Sequence, residues 1–320
     1  MEHRSPLRRY AILGTGAIGG YYGACLQKSG CDVHFLARSD YDHIQVHGLQ
    51  VDSPDGDFKL SPVQVYASVE AMPPCDVIIV ALKTTQNHLL NILLPPLLGE
   101  HSTVLLLQNG LNAEEQVAGI VGDRHRVMGG LCFICSNKVG PGHIRHVDYK
   151  AIAIGEYAPD YAPLNISDAL EAIAQDFESA GIPIVRSEDL LLARWQKLLW
   201  NIPFNGLSVV LDATTDEMIH HPAIRQLAED LMNEVRAIAA AYSRTIEDNY
   251  VEKILADTET MEPYRTSMKL DFENQNVMEV DAIFGNPLKA AQAKGISTPK
   301  LEVLYQQLTF LNRHSAMRVV

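Results

Sequence analysis

The sequence predicts an α/β fold, an N-terminal doubly wound parallel sheet followed by an all-helical C-terminal domain. Three observations carry that expectation. Residues 9–36 read as strand, glycine-rich turn, helix and strand. Asp76–Leu82 and Thr103–Leu107 are short, continuous apolar runs, as expected of parallel strands covered on both faces. After Ser187 the strand pattern stops and only helical periodicity remains. The expected domains are therefore residues 1–187 and 188–320.

The bulk properties allow this and exclude alternatives. A chain of 320 residues has room for two cores, and 47% hydrophobic with 20% charged residues is ordinary for a globular protein. A formal net charge of −13 without a basic stripe argues against nucleic-acid binding. No apolar run approaches the ~20 residues that span a bilayer. Met1–Arg9 is charged without an apolar core, so no signal peptide is expected there. The cysteines (Cys25, Cys31, Cys75, Cys132, Cys135) are odd in number and lie in core-like segments, which suits reduced thiols and a cytoplasmic chain. Cys132 and Cys135 have C-x-x-C spacing, but inside an apolar strand, where buried structural cysteines are the better reading than a redox or metal pair. The histidines show no metal-ligand spacing, and no metal is expected.

Taken in order, Arg9–Leu13 is a strand, Gly14-Thr15-Gly16-Ala17-Ile18-Gly19 a turn, and the following helix runs to about Lys28, closed by Gly30. Cys31–Leu36 is the second strand. This is the G-x-G-x-x-G unit of a Rossmann-type domain in its required context. Gly14 permits the tight turn, Gly16 lets backbone approach a pyrophosphate, and Gly19 lets helix and strand pack closely. The helix N-terminus offers free N–H groups to the phosphates. The second strand ends in Arg38-Ser39, where an NAD enzyme usually carries Asp or Glu, and a guanidinium there suits the 2′-phosphate of NADP. Asp40 is a rival that would restore NAD preference if the strand ran longer.

Gly48–Tyr66 reads as a hairpin with Asp55-Gly56 as its turn. The two buried strands end at Lys83-Thr84-Thr85-Gln86 and Gln108-Asn109-Gly110. Ligands of open parallel sheets bind beyond the carboxyl ends of strands, which makes Lys83, Gln86 and Asn109 candidates beside Arg38. Val127–Ser136, His143–Val147, Ala151–Glu156 and Ile182–Arg186 are further strands, with an amphipathic helix over Ser167–Ala180. Helices are expected over Asp189–Asn201, Pro222–Tyr242, Ile246–Asp257, about Ser267–Phe284, Pro287–Lys294 and Leu301–Asn312.

The helical domain opens with Trp195-Gln-Lys-Leu-Leu-Trp-Asn-Ile-Pro-Phe-Asn205. Lys197, Asn201 and Asn205 lie four apart, on one helical face, opposite an apolar stripe of Leu191, Leu192, Trp195, Leu198 and Leu199. A cation flanked by two amides suits an oxygen-rich anion undergoing proton transfer. The plain alternative is a solvated lysine on an amphipathic helix. In the later run, Thr266 or Ser267 reads as an N-cap, and Glu279 as an exposed helix carboxylate or the edge of a buried cleft.

Together these stretches resemble the ketopantoate reductase family, the 2-dehydropantoate 2-reductases. The resemblance rests on Gly14–Gly19, Leu82-Lys83-x-x-Gln86, Gln108-Asn109-Gly110, Arg194-Trp195-x-Lys197-x3-Asn201-x3-Asn205, His220-His221-Pro222 and Thr266-Ser267-Met268 with Glu279-Val280-Asp281, and covers nearly the whole chain. It implies NADPH-dependent reduction of 2-dehydropantoate to (R)-pantoate, a step toward pantothenate and coenzyme A. It implies a catalytic pair Lys197 and Glu279, with Asn109, Asn201, Asn205 and Ser267 as substrate contacts. A small-molecule 2-oxo acid partner and a homodimer complete the expectation. A relative acting on another 2-oxo or hydroxy acid, or a non-catalytic dinucleotide sensor, is the rival. The chain departs from the family pattern where a further asparagine is usual, near Thr215. Pro203 is expected to interrupt the helix between Asn201 and Asn205, and Asn286-Pro287 to break the one after Glu279.

Overall fold

The computed structural model describes the backbone of residues 8–317 and the side chains of 8–313. The reading of Met1–Arg9 falls almost entirely outside the described residues. The chain forms two compact units, Met1–Gln108 with Ala113–Leu190, and Asn109–Asn112 with Leu191–Val320.

The first unit is Rossmann-like. Its strands are β1 (Arg9–Leu13), β2 (Asp32–Leu36), β3 (Leu49–Asp52), β4 (Phe58–Leu60), β5 (Gln64–Tyr66), β6 (Cys75–Val80), β7 (Leu98–Leu106), β8 (Arg126–Gly140), β9 (His143–Glu156) and β10 (Ile184–Ser187). They form one ten-stranded sheet in the order β4-β3-β9-β8-β7-β6-β1-β2-β5, with β10 also beside β9. From β5 through β2, β1, β6 and β7 to β8 every pairing is parallel. β1 has β2 on one side and β6 on the other, so the winding reverses there, and ligands of such sheets bind at that reversal.

Alternation along the strands builds two cores. Tyr10, Ile12, Val33, Phe35, Val77 and Ile79 pack on one face with Tyr22, Leu26 and Phe177 of the covering helices. Ala11, Leu13, Leu36, Ile78 and Val80 pack on the other with Leu90, Leu94 and Val117. Both faces are dry, so successive residues of these strands are apolar. Each large apolar side chain buried this way contributes about 1.5–3 kcal/mol.

The sequence reading needs correction at several elements. The expected hairpin over Gly48–Tyr66 is only β3 with β4, turning through Gly56 (φ +111°). β4 ends at the Leu49–Leu60 pair, and β5 crosses to pair with β2. The strands expected separately over His143–Val147 and Ala151–Glu156 are one long β9 antiparallel to β8, irregular around Cys135, with Tyr149 at positive φ. Cys132 is half-buried and Cys135 buried, and all five cysteines are free thiols.

In the second unit, the Leu190–Trp200 helix buries Leu191, Trp195, Leu198 and Leu199. Pro203 does not break it. Asn201–Asn205 is a π-helical turn, continued by the Gly206–Val210 helix. Widening from i→i−4 to i→i−5 bonding accommodates a proline that has no N–H and would otherwise strike the preceding turn. The helix expected over Ser267–Phe284 is two. Ser267–Glu273 ends where Gln275 takes φ +60°, and a second run begins at Val280, passes through a π turn at Asp281–Gly285 and continues as Asn286–Ala293. Pro287 comes just after that π turn, as Pro203 sits within the first one, and the wider turn accommodates its missing N–H, so Asn286-Pro287 does not break the run. The Pro222–Ala241 helix begins with proline and buries Leu231, Val235 and Ile238. Among the described residues no helix is long and apolar enough to cross a membrane.

Candidate functional site

In the first unit the candidate residues gather at the reversal of winding. Gly14 leaves β1 with φ +101°, and a Cβ there would come within 2.8 Å of the Ala81 carbonyl carbon and the Leu82 nitrogen. The turn is thus pressed against the exit of β6. Thr15 Oγ1 donates to the Leu36 carbonyl at 2.9 Å and ties the turn to the end of β2. Gly16 caps the Ala17–Lys28 helix, and a Cβ on it would meet nothing within 4 Å. One on Gly19 would lie 2.9 Å from Ala81 Cβ and from Ile12 Cγ2. Ala17 and Ile18 form the half-buried first turn of that helix, whose N–H groups have no intrahelical acceptor and can donate to an anion. The open space beside Gly16 and the tight contacts at Gly14 and Gly19 fit a dinucleotide pyrophosphate.

Beyond β2, Arg38 and Ser39 are exposed and Asp40 is buried. The Arg38 guanidinium has no ion pair among the described residues. Asp40 instead accepts from Lys138 Nζ at 2.7 Å, Ser39 Oγ at 2.8 Å and the Gly142 N–H at 2.9 Å. Burial pushes the Asp40 carboxyl up, but these hydrogen bonds outweigh it and hold it below the usual carboxylate range. Lys83 and Gln86 are exposed where the chain leaves β6 for a short 3₁₀ turn, Thr84–Leu89. Gln108 Nε2 donates to the Leu82 carbonyl and to Asn87 Oδ1, both at 2.7 Å, and pins the ends of β6 and β7 together.

In the second unit, Lys197 is half-buried, Asn201 and Asn205 are 2% exposed and Glu279 is 6% exposed. Glu279 immediately precedes the helical run from Val280, so it is neither an exposed nor a mid-helix carboxylate. Asn201 Nδ2 donates to Asn109 Oδ1 at 3.2 Å. The Leu111 N–H donates to the Ala282 carbonyl at 3.1 Å, which seats the Asn109–Asn112 segment on the second π turn. Asn205 Oδ1 is buried with no hydrogen-bond partner. A buried acceptor left open costs about 1–3 kcal/mol, which a donor on a bound molecule would recover. Ser267 is half-buried at the first position of its helix, capped by Thr266. Thr215 is fully buried, accepts from the Tyr264 N–H at 3.1 Å and donates its own N–H to the Tyr264 carbonyl. It is therefore committed to backbone where the family pattern has an amide.

Comparison with known proteins decides the family. The ketopantoate reductase PanE/ApbA model matches residues 10–159, and the model of the ketopantoate reductase C-terminal part matches residues 189–312. The chain belongs to the ketopantoate reductase family. It is 55% identical over 305 residues to a 2-dehydropantoate 2-reductase of Nostoc sp., covering 95% of each chain. A solved 2-dehydropantoate 2-reductase of Geobacter metallireducens GS-15 superposes with a TM-score of 0.90 at 40% identity, covering 94% of this chain and 99% of that one. That of Methylococcus capsulatus gives 0.86 at 32%, covering 96% and 97%. This ketopantoate reductase family member is thus an oxidoreductase with a dinucleotide-type first unit.

Two features of the site carry no sequence signal. Ser208 Oγ donates to the Asn205 carbonyl at 3.0 Å and lies 2.9 Å from Thr266 Oγ1. Lys138 reaches Asp40 across 98 residues of sequence. Thr266 was legible as a helix cap, but nothing in Gly206-Leu207-Ser208-Val209 or Ser136-Asn137-Lys138-Val139 marks either partner. Among the described residues no cluster of His, Cys, Asp and Glu could hold a metal ion.

Proposed function

We propose that this chain is an NADPH-dependent 2-dehydropantoate 2-reductase, forming (R)-pantoate on the route to pantothenate and coenzyme A. The 55% identity to a reductase of that name over 95% of both chains carries the reading. Residues 1–187 supply the dinucleotide residues: Gly14–Gly19 for the pyrophosphate, Arg38 for the 2′-phosphate, with Lys83 and Gln86 of the first unit and Asn109, which packs with the second, as further contacts. The exposed, unpaired Arg38 and the buried, neutralised Asp40 favour NADP over NAD. When bound, the cofactor supplies hydride to the substrate's carbonyl carbon.

Residues 188–320 supply most of the polar groups for substrate. Lys197 offers positive charge to the carbonyl oxygen and then a proton, as general acid. Glu279 orients the ammonium. Asn201 and Asn205 hold substrate oxygens without adding charge, and the open Asn205 Oδ1 calls for a donor such as a hydroxyl. Ser267 and Asn109 fix the carboxylate and hydroxyl ends. A cytoplasmic homodimer belongs to the same proposal.

The committed Thr215 favours one second reading, a relative reducing another 2-oxo acid. Oxidation of NADPH with a panel of 2-oxo acids separates the two. The expected result is the highest kcat/KM with 2-dehydropantoate. A panel without turnover would leave the sensor reading in its place.

A further inference from the structure

The end of β2 carries both a cation and a carboxylate, Arg38 and Asp40, and the fold treats them oppositely. Arg38 is exposed. Asp40 is 5% exposed, with one oxygen on the Gly142 N–H at 2.9 Å and Lys138 Nζ 2.7 Å away. Lys138 lies on β8 and Gly142 in the turn to β9, so the tip of the β8–β9 hairpin is what holds the carboxylate. Ser39 spends its hydroxyl proton on the same carboxylate. A free carboxylate at this place in a dinucleotide-binding sheet accepts from a ribose 2′-hydroxyl and repels a 2′-phosphate. Here that carboxylate is turned inward and paired.

We propose that Lys138 is a specificity-determining residue for the cofactor. By neutralising Asp40 and drawing it onto the β8–β9 hairpin, it leaves Arg38 as the only uncompensated charge of the strand end and so favours the phosphorylated dinucleotide. The proposal rests on reading that strand end as the ribose site.

The test is the ratio of Kd for NADH to Kd for NADPH, by calorimetric titration of the full chain. Lys138→Met keeps the aliphatic stem and strands the carboxylate, and the ratio falls about tenfold. Asp40→Asn leaves Lys138 uncompensated and raises the ratio by about threefold or more. The double variant returns to within about threefold of the parent. Lost stability weakens both ligands together and leaves the ratio in place, so a merely structural role predicts no change. An unchanged ratio in either folded single variant overturns the role of Lys138. Equal affinities in the parent overturn the Arg38 assignment instead, while the two single-variant shifts still decide on Lys138. A parent that binds neither dinucleotide overturns both.

Discussion

Ser208 Oγ and Thr266 Oγ1 lie 2.9 Å apart, both fully buried, and join the helix after the first π turn to the cap of the helix that begins at Ser267. Ser208 also donates to the Asn205 carbonyl, so one hydroxyl pair fixes two candidate substrate residues from distant segments. Ser208→Ala removes that donor and leaves the buried Asn205 carbonyl and the buried Thr266 hydroxyl without it, at about 1–3 kcal/mol. Chemical denaturation should show this loss, and KM for the 2-oxo acid should rise while the Kd of NADPH stays at the parental value. Parental stability in the variant would remove the pair from the account.

The glycine turn separates binding from folding. Gly16→Val points its side chain into open space, so the melting temperature should hold while NADPH binding is lost. Gly19→Val meets Ala81 and Ile12 and should cost several kcal/mol, of the order of core overpacking at about 1–3 kcal/mol or more. Thermal melts and titrations on both variants check the contrast.

The proposed role of Arg38 in cofactor choice is open to direct measurement. A charge-assisted bond to a phosphate is worth about 1.5–3 kcal/mol, or roughly ten- to a hundredfold in affinity. Arg38→Asp should erase the NADPH preference, as measured by dissociation constants for both dinucleotides.

Asp40 links stability to acid pH. Its carboxyl is held below the usual range, so the folded state binds its proton less readily than the unfolded state does. The stability this contributes is fully present above the unfolded value of about 3.9 and is lost as pH falls through the lower folded value. Asp40→Asn should therefore be less stable than the parent at neutral pH, with the gap closing at the acid end of a pH series of denaturation curves.

Lys197 is the sharpest test of the chemistry. Removing a general acid costs about 10²–10⁴-fold in rate. Lys197→Ala should lose at least the lower figure in single-turnover reduction, with NADPH affinity little changed. Near-parental turnover would return the Leu190–Trp200 helix to a packing role.

The sequence by itself determined the winding of the first unit and the residues at its strand ends. Those features are written in local periodicity: Gly14, Gly16 and Gly19 at fixed offsets, unbroken apolar runs in strands covered on both faces, and a cation at Arg38. Helical spacing likewise put Lys197, Asn201 and Asn205 in one run. Only the tertiary structure decided what happens at Pro203, Asn205 and Glu279. A π turn is the compromise between a proline's missing N–H and the packing of the helices on either side. The end of the Ser267–Glu273 helix at Gln275, which leaves Glu279 buried before the next run, depends on a left-handed residue without a glycine to announce it. The partners of Asp40, Asn109 and Thr266 lie 98, 92 and 58 residues away, and a side-chain hydrogen bond across such a gap leaves no period in the sequence to read.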